Sequence, residues 1–164
     1  MGFRSWLGAR FVTADAVYGT ILYSALIAVV SGDDDTSLSV LFYSLLSLVI
    51  FWAAHVYAGT VANHGVKDGK EIGLRAAFRL AIAHSSGMLW AAILPSVALV
   101  LGGFHLLSYD VSVDVALWIA VVVLGVLGFL AFTQRRSRIV VRILGAIGTA
   151  LFGLIMIVLN TAVH

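Results

Sequence analysis

The 164-residue sequence contains no cysteine, one proline and only 11% charged residues. The missing cysteine removes disulfides, thiol catalysis, thiolate metal sites and iron–sulfur clusters together. The scarcity of charge is as informative. A soluble domain carries about 25% charged residues and 45–50% apolar ones, whereas here 62% are hydrophobic and mean hydropathy is +1.08. A disordered chain, a nucleic-acid-binding domain and a water-soluble globule are excluded on composition. What is abundant is apolar sequence in long runs, the mark of an integral membrane protein.

Five runs are long enough to cross a hydrocarbon core at about 1.5 Å per residue: residues 11–31, 38–62, 80–101, 113–132 and 139–159. Backbone polar groups inside lipid must be satisfied within the segment, so such runs fold as helices, and no alternating pattern suggests barrel strands. The expected fold is all-α: a single transmembrane domain of five helices over residues 1–164. The first run is too long for a signal-peptide core and lacks a small-residue cleavage site before the acidic loop, so it reads as a retained anchor. Trp6 occupies the place where a myristoylation motif needs Ser or Thr.

The basic residues orient the chain. Arg4 and Arg10 precede the first run. Lys67, Lys70, Arg75 and Arg79 lie between the second and third, and Arg135, Arg136, Arg138 and Arg142 at the junction of the fourth and fifth. These ten are all the Lys and Arg of the sequence, and five spans put them on one side. Asp33, Asp34, Asp35, Asp110 and Asp114 fall on the other. The positive-inside rule predicts a cytoplasmic N-terminus and an outer C-terminus, in the plasma membrane of a bacterial-type cell. Arg75, Arg79, Arg135 and Arg136 are expected at the lipid surface, held by anionic headgroups. The stretch from Lys70 to Ala83 reads as a helix running into the third span.

Small residues suggest close helix packing. Gly145, Thr149 and Gly153 recur every four residues in the fifth span, and Gly125 and Gly128 lie in the fourth. Such a stripe serves contacts within one chain or a homodimer. Pro95 removes one backbone hydrogen bond of the third span, with the carbonyl of Ala91 as the partner lost.

Ionisable groups inside a span are costly and are the first candidates for function. Asp15 lies five residues past Arg10, His84 five past Arg79, and His55 eight before Asn63. At about 1.5 Å per residue these positions are roughly 7, 7 and 12 Å from the cytoplasmic ends. Packed together, the first three spans would bring the three groups into one layer. Two imidazoles and a carboxylate can ligate a divalent transition metal. They can equally relay protons, or bond helix to helix without transporting anything. Tyr18, Ser47, Ser85, Met88 and Pro95 are the expected lining of a pathway. Ser44, Ser47, Phe51 and His55 form one helical stripe. No nucleophile–base–orienter set and no H-E-x-x-H motif is present, so an enzyme is not expected.

Four segments resemble the vacuolar iron transporter family. Ala14-Asp15-Ala16-Val17-Tyr18-Gly19 is similar to an N-D-G stretch in the family's first span, and Ala53-Ala54-His55-Val56-Tyr57 stands where its second span has an A-G-E-Y stretch. Gly87 through Pro95 matches a Gly followed by a Pro in the third span, and Gln134 to Arg142 its basic turn before a Gly-rich fifth span. The resemblance implies a five-span dimeric fold and a divalent metal as substrate, with Asp15 as the ligand carried over. Val56 replaces the family's Glu, and the loop from Asn63 to Arg79 is too short for its Glu-rich metal-binding helices. His55 and His84 are therefore assigned on chemistry alone. The competing expectation is a non-transporting accessory or assembly subunit. Lipid is the expected surrounding in both, and nucleic acid is not a partner.

Overall fold

The computed structural model describes residues 14–32, 35–67, 70–134 and 138–163. It is helical apart from one small hairpin. The elements are α1 (Ala14–Val30), α2 (Ser37–Asn63), β1 (Gly65–Lys67), β2 (Lys70–Ile72), α3 (Leu74–Gly103), α4 (Tyr109–Gln134) and α5 (Ile139–Val163). By length and apolar content, α2 to α5 are each able to cross a membrane. The 17 residues of α1 extend roughly 25 Å, and residues 11–13 of that expected span lie outside the described residues.

Local sequence sets where the helices begin and end. Thr36 caps α2: its Oγ1 accepts from the backbone N–H of Ser39 at 3.2 Å, while the Ser39 hydroxyl accepts from the N–H of Thr36 at 2.9 Å. This reciprocal box satisfies two donors that have no partner within the helix. At the other end His64 turns extended and Gly65 takes φ 111°, a conformation that glycine adopts without a Cβ penalty. The chain then forms the hairpin, in which Val66 pairs with Glu71 and Lys67 with Lys70. This corrects the expectation of helix from Lys70. Asp68-Gly69, outside the described residues, is in sequence a dipeptide that favours turns, and helix begins only after Gly73.

In the bundle, α3 packs against α1, α2 and α4, and α1 also touches α2, α4 and α5. The most extensive pairing is α4 with α5. The buried core runs through Tyr23 and Ile27 of α1, Val40 and Leu48 of α2, Met88 and Leu99 of α3, and Leu117 of α4. Large apolar side chains such as Phe42, Trp90, Trp118 and Val158 point outward from every side. Such a surface is stable against acyl chains and not against water.

Glycines set the closest approaches. A Cβ on Gly19 would stand 2.5 Å from Cα of Met88, so α1 and α3 meet backbone to backbone there. The small-residue stripe of α5 is used in the same way inside the chain. A Cβ on Gly128 would strike Thr149 and the carbonyl of Gly145, and one on Gly153 would meet Val121 at 2.9 Å. Thr149 donates to the carbonyl of Leu124 at 2.7 Å. The stripe therefore joins α5 to α4.

Candidate functional site

The seam of α1 and α2 brings together two of the three intramembrane candidates. Nε2 of His55 lies 3.4 Å from Oδ1 of Asp15. The carboxylate side chain is 13% exposed and the imidazole 44%, so the pair has one protected and one open side. The ring of Tyr18 stacks on His55 with centroids 6.3 Å apart and planes inclined by 26°. Three residues separate Asp15 from Tyr18, close to one helical turn, which puts both on the α2-facing side of α1. Oδ2 of Asp15 is buried and has no hydrogen-bond partner among the described residues. An acceptor left so in an apolar interior costs about 1–3 kcal/mol, more when charged.

His84 does not join them. Among the described residues no three His, Asp or Glu side chains stand together to hold a metal ion. The expected Asp15–His55–His84 layer is corrected to a pair. The reason is rotational. The inward face of α3 carries Ala77, Ala81, Ser85, Met88, Ala92 and Pro95, and His84 is one residue, about 100°, off it, on the exposed side. Similar positions along the helices bring groups together only when the faces agree as well.

The remaining candidates divide. Ser85 and Met88 are buried, Met88 as the backbone contact of Gly19. Pro95 is buried within a helix that continues through it. Ser47 is half-buried, and Tyr18 is half-exposed beside His55. Arg75 and Arg79 are exposed where α3 begins, as a lipid-surface role requires, while Arg135 and Arg136 lie outside the described residues. The expected Ser44–Ser47–Phe51–His55 stripe is also corrected. The inward row of α2 is Ser37, Val40, Ser44, Leu48, Val56 and Thr60, and Phe51 faces outward.

Comparisons with protein-family models, characterised proteins and solved structures were made for the whole chain. None matches. The chemistry of the chain therefore has to be read from its own geometry.

Other polar groups of the interior were not among the site residues expected from sequence. Tyr23 and Ser96 share a hydrogen bond of 2.7 Å between α1 and α3. The hydroxyls of Ser37 and Ser112 lie 2.8 Å apart, joining α2 to α4. Two more buried atoms, Oγ of Ser44 and Nε1 of Trp52, have no partner among the described residues. At the end bearing Asp110 and Asp114, a cavity of about 100 Å³ is lined by those carboxylates, Ser31, Gly32, Tyr109 and Asn160. Asn160 donates to Ser31 Oγ at 2.7 Å, and Tyr109 accepts from the N–H of Gly32 at 3.0 Å. A lone Asn just past the apolar fifth run was the available signal for this end of the bundle.

Proposed function

We propose that this membrane protein moves protons or another small cation, with Asp15 and His55 as the exchange site. The observation that carries the reading is a mostly buried carboxylate in contact with an imidazole on apolar helices. Such groups are costly inside a membrane and are kept where ions or protons pass. The pair supplies one carboxylate and one imidazole, groups that exchange protons readily but make a sparse ligand set for a divalent metal, which favours protons as the cargo. The resemblance of the Asp15 segment to vacuolar iron transporters supports a cation and keeps a divalent metal in view as substrate. In this reading all five helices span a bacterial plasma membrane with the N-terminus in the cytoplasm, and the chain is not an enzyme. A homodimer would use a surface other than the stripe already spent between α4 and α5.

The test is flux into liposomes containing purified protein, read with an internal pH dye and, in parallel, with Fe²⁺, Mn²⁺ and Co²⁺ outside. The expected result is acidification of the lumen under an inward proton gradient, lost in Asp15→Asn. Saturable metal entry lost in the same variant would make the metal the cargo. Silence in both assays, from folded protein, favours the accessory-subunit reading. That alternative draws support from α5, whose outward surface is almost entirely exposed and apolar.

A further inference from the structure

Two of the three buried side-chain polar atoms that have no partner among the described residues belong to Asp15 and to Trp52, which lies within one turn of His55 on α2. Asp15 uses Oδ1 toward His55 and leaves Oδ2 buried, with no hydrogen-bond partner among the described residues. Trp52 precedes His55 by three residues on α2, less than one turn, roughly 4.5 Å along the axis. Its Nε1 is likewise buried with no partner among the described residues, while its ring packs against the core. The two orphans are chemically complementary. An indole N–H only donates, and a carboxylate oxygen only accepts. In a membrane interior bulk water is not at hand to satisfy either. Ser44, the third orphan, is eight residues further along α2, roughly 12 Å away, and is a separate matter.

We propose that Asp15 and Trp52 hold one internal water molecule between α1 and α2, and that Trp52 positions the Asp15 carboxylate through it. The water accepts from Nε1 of Trp52 and donates to Oδ2 of Asp15. Internal waters typically have two to four such polar partners. With Oδ1 toward His55 and Oδ2 held by the water, both carboxylate oxygens are engaged, which fixes the rotation of the carboxyl group and presents Oδ1 to the imidazole. The site takes a water molecule. Trp52 is thus a positioning residue for the exchange site, a role that rests on the proton-carrying reading, whereas the water site itself does not.

The experiment is nuclear magnetic resonance of the indole N–H groups in lipid nanodiscs. The chain has four tryptophans, so four resonances are assigned by single Trp→Phe substitutions. Two results are expected. Asp15→Asn moves the Trp52 resonance several-fold more than those of Trp90 and Trp118, and Trp52 shows a cross-peak to a slowly exchanging water. A Trp52 shift no larger than the other two overturns the proposal. A large shift without a water cross-peak overturns the water and leaves a direct indole–carboxylate bond. Should Asp15→Asn fail to fold, Asp15→Glu displaces the carboxylate by one methylene and is read in the same way. Protein that shows both signals but no flux removes the transport reading and leaves the water site standing. Flux with neither signal does the reverse.

Discussion

At the scale of single residues, the Asp15–His55 contact is the feature with the largest consequence. Removing the imidazole leaves a mostly buried carboxylate with neither oxygen matched among the described residues. We expect His55→Ala to destabilise the folded protein by about 1–3 kcal/mol, read as a lower midpoint of denaturation in mild detergent. Asp15→Asn in the His55→Ala background should recover part of that loss, because a neutral amide is cheaper to bury than a charge. Equal losses that simply add would show that the two side chains do not interact. Tyr23 and Ser96 give a neutral comparison deeper in the bundle. Tyr23→Phe should cost about 0.6 kcal/mol, the average for hydrogen bonds between membrane helices.

At the scale of elements, glycines decide how closely the helices approach, and their neighbours differ enough to separate packing from propensity. Gly19 faces the backbone of Met88, which cannot yield as a flexible side chain would. Gly19→Ala should therefore cost about 1–3 kcal/mol through forced separation of α1 and α3. Gly148, on α5, has nothing within 4 Å of where a Cβ would be among the described residues. There Gly148→Ala should be neutral or stabilising by up to about 1 kcal/mol, since alanine is the better helix former. Unfolding of the two variants side by side checks the contrast, and equal effects would refute the α1–α3 contact. Gly128→Ala would displace Thr149 from its bond to Leu124 and loosen α5 from α4.

At the scale of the whole molecule, the separation of charge predicts orientation. Because the chain has no cysteine, single cysteines are clean reporters. Asp110 and Glu71 are both exposed and lie beyond opposite ends of α3. A membrane-impermeant maleimide should label Asp110→Cys in intact cells and Glu71→Cys only after permeabilisation. Labelling of both without permeabilisation would contradict the positive-inside assignment.

The number and approximate place of the helices were legible in the sequence because a lipid interior demands long apolar runs and internally satisfied backbone, and both are properties of composition. The helical rise alone put Asp15 near the start of its helix and His55 near the matching end of the next, so their pairing was within reach. The hairpin was not read, since three-residue strands carry no periodicity and their signal lay in Asp68-Gly69. The rotation of each helix about its axis was not legible either. In a span that is apolar all round, no polar face marks the inside, and rotation is set by where small residues such as Gly19 and Gly128 allow backbones to touch. That is why His84 turned away from a partner at its own depth, why the inward row of α2 passed through Leu48 and left Phe51 outside, and why the unmatched atoms of Asp15 and Trp52 came to light only once the helices were packed.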